Sequence, residues 1–447
     1  MLLRVFARRR DVPSPEGATR DGRASLSAIP GEVVLLSKVF DGLTVIELAD
    51  RRNQMVGKIM SDAGARVIQI EPTRGSPGRY VGPFVNDVED PNKSLDYWWF
   101  NTGKESVCID ITRLPGQQML RRLIASADVF VESTKPGTLA ALGLDYASVA
   151  PSNSKLIYAS LTDFGQTGPW AQLEMNDPAH LALGGQMGVG GYSDPKETPI
   201  GGQGRQAYNA ASVMMAHSIT VALWDRMTTD LGQYVDVAIH DCCAICTERP
   251  VSYWLWYNQP SVRQTGQHAG PTYAPPIQVQ AADGRHMNAR FNFPPNVWPK
   301  MLGWMKELGV AGDLEDEKYN DAPTRQAAAA VGGPVDVAMK ALLAKVPAQE
   351  AFEKAQSFGL TWGVIRAPKE NLGISHFAER GFWRDVEHEE IGKTVPYPRG
   401  FYKSDGLDVS PDGRAPHLGE HTRAVLTKEL GIDATQVELL AQTGVVR

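Results

Sequence analysis

The sequence has 447 residues, of which 43% are hydrophobic and 21% are charged, and its formal net charge at pH 7 is -6. This composition is typical of a globular protein with enough chain for two or three domains, and the mildly acidic balance argues against nucleic acid as a partner. The longest apolar helical stretch, residues 210–224, is shorter than a membrane span, so no membrane partner is expected either.

The cysteines and the N-terminal segment give expectations about the compartment. Three of the four cysteines fall between residues 242 and 246, without a second Cys or His pair at zinc spacing, so we expect reduced thiols, a cytoplasmic location and no metal. Residues 1–38 are rich in arginine and then in polar residues, proline and glycine. Acidic residues inside this segment favour a disordered tail, and a targeting segment is the alternative.

From residue 40 onward, short apolar runs alternate with segments of helical periodicity. Repeated strand and helix units of this kind build a parallel sheet covered by helices, so the predicted fold class is α/β. Ligands of such sheets bind at the carboxyl ends of the strands, here the loops after Glu71, Ile111, Glu132 and Thr162. The predicted strands are 43–49, 66–71, 106–111, 128–133 and 156–162, and the predicted helices between them are 54–65 and 116–127.

The second half of the chain is less regular. A helix is predicted at 209–228, and the alternating pattern of 234–239 predicts a half-exposed strand. Pro, Trp and Tyr then cluster between residues 250 and 300, which indicates a second, smaller domain. A last helical stretch lies near Thr435 to Leu440.

Several common catalytic motifs are absent from the sequence. The stretch "NTGKES" has Glu105 where a phosphate-binding loop needs a hydroxyl, "GGQMGVGG" does not follow an early strand, and no "GxSxG" occurs. All nine histidines lie at or after His180. We therefore expect the first sheet region to have no imidazole and to rely on carboxylates, lysines or tyrosines for acid–base chemistry.

Asp177 stands between a Gly-Pro turn and a glycine-rich run, "GQTGPWAQLEMNDPAHLALGG". On local sequence alone this aspartate is a helix N-cap, with Pro178 at the first helical position, where no N–H is needed. A carboxylate at this place is also a candidate nucleophile.

Eight segments of the chain, from about Phe40 to Arg447, occur in the order known from one protein family. They are "DGLTVIELA", "DAGARVIQIE", "NTGKESVCIDI", "ADVFVESTKPG", "LGLDYASV", "LIYASLTDFGQTGP", "LGQYVDVAI" and "APHLGEHT". Together they resemble the class III CoA-transferases, the group that contains formyl-CoA transferases, carnitine CoA-transferases and 2-methylacyl-CoA racemases.

This resemblance implies a domain organisation. After the tail at 1–38, it implies a Rossmann-like large domain that binds CoA and carries the catalytic aspartate, a helical linker, a smaller α+β domain, and a C-terminal segment that returns to the large domain. It also implies two chains interlocked as a homodimer. The implied bounds are 39–208 for the large domain, 209–232 for the linker, 233–345 for the small domain and 346–447 for the return.

The resemblance also implies the nucleophile. The family's aspartate lies nine residues after the glycine of the "GP" turn, and counting from Gly168 gives Asp177. Such a carboxylate attacks an acyl-CoA thioester, forms a mixed anhydride and then becomes an aspartyl-CoA thioester, and an acceptor acid reverses these steps. CoA is then a substrate, and no tightly bound cofactor is expected. Small residues such as Gly184 and Gly185 would let backbone N–H groups reach an oxyanion, and close packing is the alternative explanation for them.

For CoA itself, Lys135 matches a basic position that resembles the CoA-binding lysine of the carnitine enzyme, and a lysine suits phosphate as a point charge. Ser133, Thr134 and Arg113 lie in matching loops. The chain departs from the family in "DRRNQM" (50–55) and in "TLAALG" (138–143), where an arginine of the nucleotide clamp is missing. Arg52 is therefore hypothesised to pair with a CoA phosphate or with a second carboxylate on the acyl group, and a surface salt bridge is the alternative.

Two other functions compete with CoA transfer. A racemase of this group has a histidine directly before the aspartate, but Asn176 occupies that position here, which argues against racemisation. The second alternative is a non-catalytic subunit of a heteromeric CoA-transferase, with a paralogue as its partner. The acyl-CoA and the carboxylic acid themselves are not specified by the sequence.

Overall fold

The structure is a computed structural model and describes residues 38–272, 276–400 and 402–447, with the exception of the side chain of Glu248. The expectations for the N-terminal tail, a disordered or targeting segment, therefore lie outside the described residues, apart from Lys38.

A six-stranded sheet, in the order β3-β2-β1-β4-β5-β6, forms the centre of the fold, and all neighbouring strands in it are parallel. This confirms the predicted α/β class and the parallel sheet. The strands of this sheet are β1 (Thr44–Leu48), β2 (Arg66–Glu71), β3 (Glu105–Cys108), β4 (Val129–Glu132), β5 (Ile157–Thr162) and β6 (Tyr234–Ala238).

The pairing register of the strands aligns β-branched apolar residues across the sheet. Val67, Val45, Val129 and Ile157 lie side by side on four neighbouring strands, and the next residue of each strand points to the opposite face. Both faces are buried, as a parallel sheet requires, because helices cover each of them.

The helices fall into two groups around this sheet. Helices α1, α8 and α9 pack on the face of Val45, whereas α3, α16 and α17 pack on the opposite face. Within α8, small and apolar side chains recur every three or four residues on the buried side. The α-helices are α1 (Gln54–Asp62), α2 (Leu95–Phe100), α3 (Leu114–Ser126), α4 (Thr138–Ala141), α5 (Tyr146–Val149), α6 (Asp177–Leu183), α7 (Gln186–Val189), α8 (Gln206–Thr229), α9 (Ile239–Ile245), α10 (Glu248–Tyr257), α11 (Trp298–Glu307), α12 (Ala322–Ala328), α13 (Pro334–Leu343), α14 (Ala348–Ser357), α15 (Ser375–Glu379), α16 (Thr422–Leu430) and α17 (Ala434–Gln442).

A separate hydrophobic core lies between residues 279 and 362, where a three-stranded antiparallel sheet packs with α11, α13 and α14. None of the helices in the described ranges combines the length and apolar character needed to cross a membrane. The remaining strands are β7 (Val262–Gln264), β8 (Gln267–Gly270), β9 (Gln278–Gln280), β10 (His286–Asn288), β11 (Gly363–Val364), β12 (Trp383–His388) and β13 (Lys393–Pro398). Short 3-10 helices are Pro77–Tyr80, Val85–Asp87, Ala150–Ser152, Glu317–Asn320, Pro368–Gly373 and Glu389–Ile391.

The strand order determines where a ligand site is expected. The chain reverses its direction across the sheet between β1 and β4, which are neighbours although two strands separate them in sequence. In open parallel sheets, a crevice forms at this point outside the carboxyl ends of the strands. The ends concerned are those of β1, β4 and β5.

Candidate active site

A cavity of about 200 Å³ lies at this crevice, between the carboxyl ends of β1, β4 and β5. Its lining combines cationic side chains, hydroxyl groups and carboxylates, so it suits a charged and polar ligand. Drug-sized ligands fill pockets of about 300–1,000 Å³, so a cavity of this size holds only part of a large molecule such as CoA. Its polar lining includes Asp50, Arg52, Ser133, Thr134, Lys135 and Asp163.

Four of the five residues predicted to bind CoA line this cavity together, namely Arg52, Ser133, Thr134 and Lys135. The ammonium group of Lys135 is about half exposed and lies 3.2 Å from a carboxylate oxygen of Glu174. The hydroxyl of Ser133 is buried, and the described residues give it no hydrogen-bond partner. A ligand oxygen or N–H in the cavity would therefore satisfy a group that is otherwise unpaired.

Arg113, the fifth predicted CoA residue, does not line this cavity. It precedes α3 near the edge strand β3, where its Nε lies 3.2 Å from Asp110 Oδ2. Its Nη1 donates a hydrogen bond of 2.6 Å to the carbonyl oxygen of Thr443. In this structure Arg113 contacts the C-terminal segment.

Asp163 is a central residue of the site that the sequence analysis did not select. It directly follows β5, and its Oδ1 lies 3.1 Å from His180 Nε2 and 3.3 Å from Arg52 Nε. Its Oδ2 accepts the backbone N–H of Met175 at 3.1 Å. Burial raises the pKa of Asp163, but the hydrogen bond from His180, the positive charge of Arg52 and the N–H of Met175 outweigh it, so the pKa lies below its usual value. Asp163 is thus a stable carboxylate that anchors the site.

Asp177 does not cap its own helix, so this local prediction is wrong. The N-cap of α6 is Asn176, whose side-chain oxygen accepts the N–H of Ala179 at 3.1 Å. Asp177 is the first helical residue, and Pro178 follows it. The Asp177 carboxylate instead reaches a second helix, because Oδ1 accepts the backbone N–H of Tyr208, in the first turn of α8, at 2.9 Å. It therefore caps the N-terminus of α8.

The surroundings of Asp177 combine desolvation with positive partial charges. Only 7% of the residue is exposed. Burial raises its pKa, while the N–H groups of Tyr208 and Ala207 and the charges of His180 and Arg205 act in the opposite direction. The net result is a pKa above the usual value. A carboxylate that is poorly hydrated yet held at a helix N-terminus is a well-oriented nucleophile.

The expectation that the sheet region has no imidazole is also wrong. His180 is fully buried one turn after Asp177 and bonds Asp163 at the end of β5. His240 packs beside it, with ring centroids 6.2 Å apart, and the backbone N–H of His240 donates to the carbonyl oxygen of Asp163 at 3.0 Å. Both histidines come from later in the sequence and reach the sheet through tertiary packing.

The two glycines predicted to supply an oxyanion site use their N–H groups within the fold. Gly184 donates to the carbonyl oxygen of His180 at 2.8 Å, and Gly185 donates to that of Ala182 at 3.3 Å. A Cβ atom on Gly184 would lie 2.8 Å from the Cβ of Cys243, so close packing against α9 accounts for this glycine. Gly185 has a φ of 90°, which favours glycine.

Comparison with known proteins decides the family. The model of CoA-transferase family III matches residues 40–422. The chain belongs to this family. The family's match covers the whole parallel sheet, Asp177 and the smaller antiparallel sheet, and it establishes the chain as a CoA-transferase of acyl-CoA metabolism.

Individual relatives of this CoA-transferase cover nearly the whole chain. It is 29% identical to the succinyl-CoA:(R)-benzylsuccinate CoA-transferase subunit BbsE of Thauera aromatica, over 91% of this chain and 98% of the relative. It is 30% identical to the succinate–glutarate CoA-transferase of Agrobacterium fabrum, over 88% of this chain and 96% of the relative. A crystal structure of a CAIB/BAIF family protein from Brucella suis matches with a TM-score of 0.76 and 27% identity, over 88% of this chain and 100% of that one.

Proposed function

We propose that this CoA-transferase moves CoA from an acyl-CoA thioester to a free carboxylic acid with Asp177 as the nucleophile. The observation that carries the proposal is the position of this buried carboxylate. Asp177 Oδ1 is fixed by the N–H of Tyr208 at the start of a 24-residue helix, which orients the carboxylate. We assign the attack on the thioester to its other oxygen, Oδ2.

The reaction proceeds in steps that balance without water or a redox change. Asp177 attacks the acyl carbon, the C–S bond breaks, and CoA thiolate leaves a mixed anhydride. The thiolate then attacks the aspartyl carbonyl, which releases the first acid and forms an aspartyl-CoA thioester. The acceptor carboxylate attacks this thioester, and the freed thiolate attacks the acceptor's carbonyl in the new anhydride, which regenerates Asp177.

The N–H group that holds Asp177 has a second use in these steps. When the thiolate attacks the aspartyl carbonyl, negative charge develops on Oδ1, the oxygen that accepts the N–H of Tyr208. An N–H group at the N-terminus of a long helix stabilises such an oxyanion. The N–H of Tyr208 thus orients the nucleophile and then stabilises the charge that forms when the anhydride is attacked, whereas the N–H groups of Gly184 and Gly185 are used within the fold.

The cavity at the strand ends is proposed to hold part of the CoA molecule. Lys135 and Arg52 provide positive charge for phosphate, and Ser133 and Thr134 provide hydroxyl groups. Asp163 lines this cavity and bonds His180, which follows Asp177 by three residues on α6. This contact connects the cavity to the helix of Asp177 and supports delivery of the thioester from the cavity side. The free thiols of all four cysteines support a reducing, cytoplasmic compartment.

A second candidate function is that of one subunit of a heteromeric CoA-transferase. The relative from Thauera aromatica is itself named as a subunit, which favours this possibility. The first proposal requires that this chain is active without another protein, which agrees with an interlocked homodimer. The second proposal requires a paralogue as the partner.

The test is isotope exchange between succinyl-CoA and labelled succinate, catalysed by the purified chain alone. We expect exchange by the wild-type protein and a loss of about a thousandfold or more in Asp177→Asn, because the carboxylate is replaced by a poor nucleophile. Asp194→Asn, which changes an exposed aspartate of a neighbouring loop, is the matched control. Exchange that survives in Asp177→Asn would refute the nucleophile. A wild-type chain that is inactive with a panel of acyl-CoA donors, but active with an added paralogue, would support the heteromer.

A further inference from the structure

Arg205 lies next to Asp177 and has a hydrogen-bonding group without an acceptor. It directly precedes α8, and its Nη2 forms an ion pair with Asp96 of α2. The guanidinium carbon lies 4.6 Å from the centre of the Phe100 ring, which fixes the orientation of the group. The Nη1 nitrogen is buried, and the described residues offer it no hydrogen-bond partner. A buried N–H of a charged group is costly to leave unpaired.

Arg51 brings a second positive charge to α8, which the loop after β1 contacts where the Ser212 hydroxyl donates to the carbonyl oxygen of Arg52 at 3.1 Å. Arg51 lies in this loop, and its Nε is likewise buried without an acceptor among the described residues. Burial lowers the pKa of Arg205, and the nearby charge of Arg51 lowers it further, while Asp96 and Asp177 oppose this change. Two guanidinium groups that repel each other in a partly desolvated place are stabilised by an anion between them.

Arg52, the arginine hypothesised to bind a second carboxylate, is already engaged. Its Nε lies 3.3 Å from Asp163 Oδ1, and its Nη1 lies 3.5 Å from Asp50 Oδ1. Two carboxylates thus share this guanidinium. An incoming carboxylate would have to share Arg52 with both, whereas Arg205 forms an ion pair with Asp96 alone.

The position of the arginine pair relative to Asp177 suggests its ligand. The N–H that binds Asp177 belongs to Tyr208, only three residues after Arg205 on the same helix start. The start of α8 thus carries both the N–H that holds Asp177 and one arginine of the pair. We propose that Arg51 and Arg205 recognise the second carboxylate of a dicarboxylic acyl group, and this inference rests on the proposed function of Asp177.

This subsite would make the enzyme selective for dicarboxylic acids. A distal carboxylate accepts charge-assisted hydrogen bonds from both guanidinium groups. A methyl group in the same place leaves the buried N–H groups of the two arginines without an acceptor, so the acyl group without the carboxylate is rejected. Specificity would then come from the loop after β1 and the start of α8, outside the cavity proposed for CoA.

The test compares matched acyl groups that differ only at the far end. Isotope exchange is measured for succinyl-CoA with succinate and for butyryl-CoA with butyrate, and again for the glutaryl and pentanoyl pair. We expect the wild-type enzyme to prefer the dicarboxylic member. Arg205→Gln and Arg51→Gln should each lower dicarboxylate exchange about ten- to a hundredfold and change monocarboxylate exchange less than about threefold. Arg205→Lys should retain part of the preference.

Arg423→Gln, at an arginine whose side chain is 65% exposed on α16, is the matched control and should leave both rates unchanged. Equal losses on both members of a pair would show that Arg51 and Arg205 only maintain the fold, and would overturn the inference. A wild-type enzyme that exchanges monocarboxylic and dicarboxylic acids equally well would also overturn the inference. Its exchange of monocarboxylic acids would still support the role of Asp177 as the nucleophile. The absence of exchange with all four acids would overturn this inference, and activity of the same chain with another acyl-CoA donor would still support the role of Asp177.

Discussion

At the scale of single residues, Asp177 and Asp163 are two buried carboxyl groups near His180, and the fold shifts their pKa values in opposite directions. Burial dominates at Asp177 and raises its pKa. At Asp163, hydrogen bonds and the charge of Arg52 outweigh burial and lower it. The difference agrees with the proposed roles, in which Asp177 reacts and Asp163 holds its neighbours.

This contrast predicts opposite effects on stability. The stabilising effect of a carboxyl group with a raised pKa is complete below its unfolded pKa and is lost as the pH rises through the folded value. At pH 7 the ionised Asp177 therefore destabilises the folded protein, and Asp177→Asn should leave Tm unchanged or raise it.

The stabilising effect of the Asp163 carboxylate is present above its unfolded pKa and is lost as the pH falls through its folded pKa. Asp163→Asn should lower the free energy of unfolding at pH 7 by about 1–3 kcal/mol, because His180 and Arg52 lose a charged acceptor.

Thermal unfolding of both variants between pH 4 and pH 8 measures these effects. A larger loss of stability in Asp177→Asn than in Asp163→Asn would contradict the assignment of the two roles.

The sequence indicated some of these residues, and physical reasons explain why it missed others. The family resemblance indicated Asp177 through its spacing from Gly168, and Ser133 and Lys135 through matching loops. The rule for strand ends applied to Asp163, which directly follows β5, and was not used for it. His180 and Arg205 reach the site only because α6 and α8 pack together, and local sequence contains no signal for that contact.

At the scale of secondary-structure elements, a buried ion pair connects the end of β2 with three other segments. Arg79 Nε lies 2.7 Å from Glu71 Oε2, and both side chains are fully buried. The Arg79 Nη2 group also donates to the hydroxyl of Tyr97 on α2, at 2.7 Å, and to the carbonyl oxygen of Pro416, at 3.2 Å. This pair thus attaches the segment before α16 to the sheet.

Removing one partner of this pair should be costly. Arg79→Met is expected to lower the free energy of unfolding by about 3–5 kcal/mol, because it leaves the Glu71 carboxylate buried and uncompensated. Lys93→Met, at a lysine whose side chain is 41% exposed, is the control and should cost less than about 1 kcal/mol. Urea unfolding measures both values. If Arg79→Met lowers the free energy of unfolding as little as Lys93→Met does, the Glu71–Arg79 pair does not attach these segments to the sheet.

The elements themselves were predictable to different degrees. Five of the parallel strands are mostly buried apolar runs, and β6 is a half-exposed strand with an alternating pattern, so the sequence pattern indicated all six. The strands of the smaller antiparallel sheet have three residues or fewer, which is too short for an alternating pattern to be recognised. Composition therefore indicated a second domain near residues 250–300, but it did not indicate the strands of its sheet.

At the scale of the whole molecule, helix α10 presents large apolar side chains to solvent. Trp254, Leu255, Trp256 and Tyr257 are between 56% and 81% exposed. Apolar patches of this kind mark interaction surfaces. The interlocked homodimer implied by the family resemblance remains a prediction, and this helix is a candidate part of its interface.

Light scattering of the purified chain tests the assembly. We expect twice the mass of one chain for the wild-type protein, and a shift toward the single-chain mass when Trp256→Ser removes the most exposed of these side chains. A wild-type protein that is monomeric at micromolar concentration would contradict the homodimer.

The most direct test of the account is to detect CoA attached to Asp177. The enzyme is incubated with succinyl-CoA without added acceptor acid, treated with borohydride, and digested for mass spectrometry. An aspartyl-CoA thioester is reduced by this treatment, so the account predicts a homoserine in place of Asp177 in the wild-type protein and an unchanged peptide without succinyl-CoA. A reduced residue elsewhere, at Asp163 for example, or an unmodified Asp177 in an enzyme that transfers CoA, would contradict it.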